Sequence, residues 1–288
     1  MNKVTRCVLG LIAILALVAA APVPDVTSFF GTNGSTINVD GAAYSVHTPD
    51  KPFNLTNPNS QTLRFEVHSG EWWCLPDGSY CDSWGDNYAE RASIQKQGNY
   101  SRNTTFTISF DMMLEPGNEN TADWFQFLEL FDETSASTPP FGLDMLSPQW
   151  SPDRNGDHMQ VEVGWFTSTG TPTIDGTPVS CDWNTTVEGQ SACYGSWVDP
   201  NPMQRGQWYS MQITVDHSSG NLVVIRDGVQ LFTYQGTLGF GSSDKYHCEY
   251  GIYRSATTRD VQAVWYQNMV FTADSSSPPP PNHRRRGR

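Results

Sequence analysis

The chain has few cationic residues for its length. Its 288 residues include 17 lysines and arginines against 30 aspartates and glutamates, which gives a formal net charge of -13 at pH 7. A protein that binds nucleic acid needs clustered cations to displace the counterions of the phosphate backbone. We therefore expect no nucleic-acid partner, and the acidic balance also argues against a broad heparin-binding surface.

Long apolar runs are also scarce. The only long one, VLGLIAILALVAA, lies within residues 1–20. It follows Lys3 and Arg6 and ends in small residues. This order is typical of a secretory signal peptide, and the run is shorter than the ~20 residues that a membrane-spanning helix needs. We predict a signal peptide over residues 1–20, a secreted extracellular protein and no membrane association.

Helical periodicity is missing as well. After residue 20, no stretch keeps a 3.6-residue period for three turns, whereas turn-forming residues occur almost everywhere. Short alternating segments between turns predict a mainly antiparallel β-sandwich. All-β domains reach roughly 200 to 250 residues, so residues 21–273 are predicted to form one domain. We expect the protein to be a monomer. The Pro- and Arg-rich residues 274–288 are predicted to be a disordered tail.

Cysteines are few. The chain has six, and Cys7 would leave with the signal peptide. Four of the others form two close pairs that each bracket a Gly- or Asn-containing loop, and local pairing is the simplest arrangement in an oxidising compartment. We therefore predict disulfides between Cys74 and Cys81 and between Cys181 and Cys193.

Cys248 is left without a predicted disulfide partner. Strand parity turns Cys248 towards the core, which predicts a buried free thiol. No C-x2-C pair occurs, so we expect no zinc site. We expect no other cofactor, although the acid-rich loop Asp153–Asp157 would suit a structural calcium ion.

Five N-x-S/T sequons follow the predicted signal peptide. This number in a chain with a signal peptide predicts a eukaryotic secreted glycoprotein, with the glycans on exposed loops or strand ends. The sequon asparagines are Asn33, Asn54, Asn99, Asn103 and Asn184.

The clearest strand pattern lies between Arg205 and Phe271. The segment RGQWYSMQITVD alternates apolar and polar residues, and Asp227-Gly228 separates two further apolar runs in the manner of a β-hairpin. The later segment HCEYGIYRS is predicted to be a strand with Glu249, Gly251 and Tyr253 on one face.

This arrangement resembles the C-terminal half of the jelly-roll polysaccharide lyases, which include alginate lyases, the heparin lyase I group and fungal glucuronan lyases. In those families the last of these strands reads approximately Y-x-K-x-G-x-Y, and its second Tyr is the catalytic acid/base. The resemblance implies a concanavalin-like jelly roll of two antiparallel sheets with a concave substrate groove. It also implies a catalytic Tyr253, with His247 at the first Tyr position and Glu249 at the Lys position.

Two earlier segments extend the resemblance. YAERASIQ is similar to the R-x-E-[LI]-R strand of alginate lyases, with Arg91 at the first Arg and Ser93 and Gln95 at the next two positions. DWFQFLELFD is similar to their Q-[IV]-H strand, with Gln126 at the Gln and Leu128 at the His. The resemblance implies that Gln126 neutralises a substrate carboxylate. Arg91 would face the groove and could pair with that carboxylate through two hydrogen bonds.

Several other residues are candidates for the groove. His158, in the strand HMQVEVGW, is the best substitute for the missing ring base, the alternative being a hydrogen-bonded strand-end histidine. For Arg91 the alternative is a surface salt bridge, and for Gln126 it is a paired amide on the sheet face. The expected substrate-binding residues are Trp84, Ser93, Trp124, Gln160 and Glu249. A Trp of the segment 72–86 can stack on a sugar ring or pack beneath its own loop.

The sequence thus predicts a secreted lyase that cleaves a uronate-containing, glucuronan-like polymer by β-elimination, with an acidic polysaccharide as its partner. This reading requires Tyr253, Gln126 and Arg91 to converge over one groove. One alternative is a glycoside hydrolase on the same sandwich, for which Glu129 is disfavoured because parity places it with the core phenylalanines. Its candidate carboxylates are Glu129, Asp132, Glu162 and Glu249. Another alternative is a lectin-like protein that binds carbohydrate without cleaving it.

Overall fold

A computed structural model describes residues 31–59, 61–84, 87–98, 100–101, 104–132, 139–150, 155–240, 245–256 and 260–273. The predicted signal peptide and the predicted tail lie outside these ranges, as do Asn99, Asn103 and the first two residues, Asp153 and Arg154, of the loop proposed for calcium. Within the described ranges, no helix is long and apolar enough to span a membrane.

The regular secondary structure of the described chain is almost entirely β-strand. One 3-10 helix, Thr167–Thr169, joins two of them. The strands are β1 (Thr36–Val39), β2 (Ala42–His47), β3 (Leu55–Asn59), β4 (Thr62–Val67), β5 (Ser83–Trp84), β6 (Asn87–Lys96), β7 (Tyr100–Ser101), β8 (Thr105–Leu114), β9 (Phe125–Asp132), β10 (Phe141–Leu146), β11 (His158–Phe166), β12 (Thr173–Ile174), β13 (Thr177–Pro178), β14 (Trp183–Val187), β15 (Gln190–Val198), β16 (Trp208–Asp216), β17 (Asn221–Arg226), β18 (Val229–Gln235), β19 (Lys245–Ser255) and β20 (Gln262–Ala273).

These strands form two antiparallel sheets. The front sheet has the order β1-β2-β6-β19-β9-β10-β11-β15-β14, with β5 paired to β6 and β7 paired to β19. The back sheet has the order β13-β12-β18-β17-β16-β8-β20-β4-β3. Strands distant in sequence are neighbours in both sheets, which confirms the predicted all-β sandwich.

The core lies between the two sheets and follows the predicted alternation. In β16 the side chains of Tyr209, Met211, Ile213 and Val215 are buried, while the residues between them are less so. In β19 Cys248 is fully buried and is a free thiol, as predicted. Burial raises the pKa of this thiol to about 12, so it remains protonated and unreactive.

Strand β9 departs from strict alternation, and this departure decides which side chains reach the outer face of the front sheet. Leu143 pairs with Leu128, but the next residue, Asp144, pairs with Gln126, so Phe127 is an extra residue in β9. Phe127 and Leu128 are both buried in the core, whereas Gln126 and Glu129 line the same pocket. The expectation that Glu129 shares the core face is therefore wrong, because a β-bulge shifts the pattern by one residue.

Gly251 allows β19 to pass close to β6. Its φ is +132°, and a Cβ at this position would lie 2.3 Å from the carbonyl oxygen of Ala92. A side chain here would have to displace backbone, because the nearest atoms are not the flexible end of another side chain.

We expect Gly251→Ala to lower the free energy of unfolding by about 3 kcal/mol, through overpacking and an unfavourable φ. The matched control is Gly228→Ala, at the Asp227-Gly228 turn, where φ is also positive but a Cβ would meet nothing within 4 Å. The control should lose about 1 kcal/mol. Urea denaturation measures both, and equal losses would show that the contact with Ala92 is unimportant.

Candidate active site

Polar side chains form two rows across the outer face of the front sheet. Each row follows cross-strand pairing through adjacent strands. The first row consists of Arg91, Tyr253, Gln126, Asp144 and Gln160, on β6, β19, β9, β10 and β11. The second row consists of Glu249, Glu129, Gly142, Glu162 and Ser196, on β19, β9, β10, β11 and β15.

The phenol, the amide and the guanidinium predicted to converge are direct neighbours in the first row. Tyr253 pairs with Arg91 on one side and with Gln126 on the other. The Tyr253 ring is half-buried, with the Arg91 guanidinium carbon 3.8 Å from the ring centre and the Trp124 ring centre at 4.8 Å. A small, half-open pocket is lined by Tyr253, Gln126 and Glu129, among others.

Arg91 is the centre of a buried ion-pair network. Its Nε donates to Asp82 Oδ2 at 2.7 Å, and its Nη1 donates to Glu249 Oε2 at 2.9 Å. The guanidinium also lies over the rings of Tyr253 and Trp73. The prediction that Arg91 pairs with a substrate carboxylate does not fit this geometry, because two protein carboxylates already accept its hydrogen bonds.

Glu249 and Ser93 belong to the same network. Glu249 Oε1 accepts from Ser93 Oγ at 3.0 Å and lies 2.6 Å from His47 Nδ1. Burial alone would raise the pKa of Glu249, but Arg91 and His47 hold it well below its ordinary value. Glu249 is thus an ionised internal partner of Arg91. Glu249 and Ser93 both line the pocket, but their hydrogen bonds join them to each other and to Arg91 and His47, so their contact with substrate stays a prediction.

The electrostatics of Tyr253 result from two opposing effects. Burial raises the pKa of its phenol, while the positive charge of Arg91 lowers it. The resting phenol is therefore protonated. The cation beside it comes from β6, whereas the strand pattern of the resembled families places a lysine at the position of Glu249.

Three further carboxyls on this face have raised pKa values. Burial, with the nearby charge of Glu249, raises the pKa of Glu129 to about 8 against the opposing effect of Arg91. Burial and the neighbouring carboxyls of Glu162 and Glu129 raise the pKa of Asp144 well above its ordinary value. Burial raises the pKa of Glu162 to about 7. Each of the three has one buried oxygen with no hydrogen-bond partner among the described residues.

Gly142 leaves room between these groups. A Cβ at this position would lie 3.0 Å from Gln126 Nε2 and 3.1 Å from Asp144 Oδ1. The absence of a side chain at Gly142 therefore leaves space beside the amide of Gln126 and the carboxyl of Asp144, both in the first row.

The comparisons with known proteins agree with this architecture. A family model described as polysaccharide lyase matches residues 41–270. The chain belongs to the polysaccharide lyase family. Among curated proteins no sequence matches it.

The solved structures of similar fold include several alginate lyases. One is the alginate lyase AlyC3 in complex with dimannuronate, with 12% sequence identity, a TM-score of 0.51, and 86% of this chain and 87% of that chain covered. Another is an alginate lyase from Pseudomonas aeruginosa, with 11% identity, a TM-score of 0.50, and 80% and 97% covered. At this identity the likeness supports the fold alone, and it confirms the predicted jelly roll.

His158 of this lyase is a structural residue and not a ring base in the site. It lies at the start of β11 and is buried. Its Nδ1 lies 2.7 Å from the carbonyl oxygen of Asp199, and its Nε2 lies 2.8 Å from that of Asn155. Because both nitrogens contact backbone carbonyls, the ring is committed to holding these loops, and the catalytic prediction is wrong.

Two of the other predicted contact residues lie in or beside the first row. Trp124 contacts Tyr253, and Gln160 is half-buried at the end of the first row. Trp84 lies in β5, and its side chain is outside the described part of the structure. No group of three or more metal-ligating side chains capable of holding an ion is found within the described residues.

The two predicted disulfides, Cys74–Cys81 and Cys181–Cys193, are both present. The first closes the loop between Trp73 and Asp82, which both contact Arg91. This disulfide-closed loop, named the clip loop, therefore supports one side of the ion-pair network.

The described sequons differ in accessibility. Asn184 is exposed, whereas Asn33 is half-buried and donates to the carbonyl of Cys74. Asn54 is fully buried, and its amide donates to the carbonyl of Glu66. The expectation of an exposed sequon is therefore wrong for Asn54, because a glycan would need this nitrogen at the surface.

We expect Glu129→Gln to stabilise the lyase more at pH 8 than at pH 5. The folded-state pKa of Glu129 is raised to about 8, while an unfolded glutamate titrates near ~4.3. Between these values the wild-type protein loses stability as pH rises, because only the unfolded state ionises. The gain at pH 8 should exceed that at pH 5 by at least about 1 kcal/mol in urea denaturation.

The control for this prediction is Glu115→Gln. Hydrogen bonds from Arg64 and Trp265 lower the pKa of Glu115 despite its partial burial. Its ionised form therefore stabilises the fold above the unfolded pKa, and the substitution should destabilise the protein at pH 8. Equal pH dependence in the two variants would contradict the assignment.

Proposed function

We propose that this polysaccharide lyase cleaves a uronate-containing polysaccharide by β-elimination, with a glucuronan-like polymer as the first substrate to test. The observation that carries the proposal is the direct cross-strand contact of Arg91, Tyr253 and Gln126 on one open face. The resemblance of HCEYGIYRS to the corresponding strand of glucuronan and alginate lyases supports it. The complex of a similar fold with dimannuronate is consistent with an acidic polysaccharide as the partner.

β-Elimination sets three requirements. The C5 proton of a uronate becomes acidic only when the negative charge of its carboxylate is offset, so a donor must contact that carboxylate. A base then removes the proton, a C4–C5 double bond forms, and the C4–O4 bond breaks. An acid must return a proton to O4, so the reaction consumes no net proton.

The first row supplies groups for these steps. Gln126 offers an amide N–H to the substrate carboxylate. In its phenolate form, Tyr253 would accept the C5 proton and then donate it to O4. Arg91 is a positioning residue, since it lies over the Tyr253 ring and offsets the charge of the phenolate without contacting substrate. Trp124 would provide an aromatic edge for a sugar ring beside Tyr253.

The proposal includes the setting in which the lyase works. The signal-peptide pattern of residues 1–20, the sequons and the two disulfides support a secreted, extracellular glycoprotein. We expect it to be a monomer. A polymer is too large to enter a cell unaided, so a depolymerising enzyme would meet its substrate outside.

The substrate class is tested with the secreted protein on polyglucuronate, alginate and glycosaminoglycans. Elimination creates an unsaturated uronate, which is followed by its ultraviolet absorbance. New reducing ends without this absorbance would indicate hydrolysis. Retention on a polysaccharide column with neither signal would indicate a lectin, and either result would overturn the proposal.

We expect Tyr253→Phe to reduce the rate of unsaturated product formation by about 100- to 10,000-fold, because it removes the proton-transferring oxygen and keeps the ring under Arg91. The matched control is Tyr88→Phe. Tyr88 is 39% exposed and lies outside both rows, where its ring stacks on Trp72. Its substitution should leave the rate nearly unchanged. An active Tyr253→Phe enzyme would remove this residue from the chemistry.

We expect Asn184 to carry a glycan in protein secreted from a eukaryotic host, and Asn54 to carry none. Asn184 is exposed on β14, whereas the Asn54 amide is buried against the backbone of Glu66. Glycopeptide mass spectrometry with and without enzymatic deglycosylation distinguishes the two sites. A fully occupied Asn54 would show that glycosylation precedes the burial seen here.

A further inference from the structure

The active-site face has the wrong charge for a polyanionic substrate. Among the described residues of the two rows, Arg91 is the one cation, and it already donates to Asp82 and Glu249. Five carboxyls lie on or beside this face: Asp82, Glu129, Asp144, Glu162 and Glu249. If all five were ionised, the face would repel a uronate. The carboxylate-binding group must therefore be found among neutral donors.

Glu129 has the position for such a donor. It lies beside Glu249 in the second row, and its side chain lines the pocket with Gln126 and Tyr253. It is 3% exposed, and its Oε1 has no hydrogen-bond partner within the described ranges. Its Oε2 lies 3.6 Å from Arg91 Nη1. One carboxyl oxygen thus lies near Arg91, while the other is buried and has no hydrogen-bond partner among the described residues.

We propose that Glu129 binds the substrate carboxylate in its protonated form, donating an O–H hydrogen bond beside the amide of Gln126. This inference rests on the proposed function and names the group that takes the place of a cation in that site. A protonated carboxyl can offset the charge of a uronate through a short, charge-assisted hydrogen bond, whereas an ionised one would repel it.

The surroundings of Glu129 favour the protonated form. Glu249 faces it from β19, Asp82 from the clip loop, Asp144 from β10, and Arg91 from β6. Arg91 is the opposing positive charge, and it is shared with Asp82 and Glu249. Beyond this shell, Glu162 on β11 raises the pKa of Asp144, and His47 on β2 contacts Glu249.

Together these effects keep the Glu129 carboxyl protonated near neutral pH. Burial and the surrounding carboxylates raise the pKa of Glu129 to about 8. The carboxyl would therefore be a donor at pH 7 and would lose its proton, and with it the hydrogen bond, above pH 8.

The test uses the wild-type lyase with the uronate polymer that it cleaves best, and measures kcat/KM from pH 6 to pH 9. Glu129→Gln keeps a permanently neutral donor of the same shape, and it should remain within about threefold of wild type at pH 7. Glu129→Leu removes the donor and should lose about 10- to 100-fold. Thermal unfolding checks that both variants are folded.

The pH dependence gives the sharper readout. Because about nine-tenths of Glu129 would be protonated at pH 7 and about one-tenth at pH 9, the ratio of Glu129→Gln to wild-type kcat/KM should rise about tenfold between them. Glu119→Gln, a matched control at an exposed carboxyl outside both rows, should give a constant ratio.

Other outcomes overturn the proposal in distinguishable ways. If Glu129→Gln is as inactive as Glu129→Leu at pH 7, Glu129 acts as an ionised base and not as a donor. If Glu129→Leu is fully active, Glu129 does not bind substrate. If the wild-type protein forms no unsaturated product from any uronate polymer, the proposed function fails before the role of Glu129 is reached.

Discussion

The buried positive charge of Arg91 is the constraint on which the active-site face depends. Two carboxylates, those of Asp82 and Glu249, accept its hydrogen bonds, and the rings of Tyr253 and Trp73 lie against it. A buried carboxylate without a counter-charge is unfavourable by several kcal/mol. The disulfide-closed loop, β6 and β19 are therefore held together by one cation, and the position of Tyr253 follows from it.

This network compensates for a departure of the lyase from the strand pattern of the resembled families. Their lysine two positions before the conserved glycine is replaced here by Glu249, which by itself would oppose ionisation of the phenol. The glutamate does not act alone, because Arg91 on the neighbouring strand pairs with it and lies over the phenol. A cation thus lies over Tyr253 although the residue at the lysine position of its own strand is negative.

Burial raises the pKa values of the remaining carboxyls on this face, which do not share the close contact of Glu249 with Arg91. Glu249 is ionised because it contacts Arg91 directly, whereas Glu129 is 3.6 Å from the same guanidinium, next to another negative charge, and has a raised pKa. An acidic protein can in this way present neutral donors to an acidic substrate. The formal charge of -13 therefore describes the chain but not the state of this face.

Local pattern was enough to predict the sandwich, the Asp227-Gly228 turn, both disulfides and the inward Cys248, because each depends on alternation or short spacing. The resemblance to the lyase families, and not local pattern, predicted that Arg91, Gln126 and Tyr253 would share one face. Local pattern failed in two places. It failed for Glu129, because a bulge in β9 shifts the alternation by one residue, and for His158, whose ring contacts loops distant in sequence. Whether Arg91 faces a substrate or its own carboxylates depended on which strands became neighbours, and only the tertiary structure decides that.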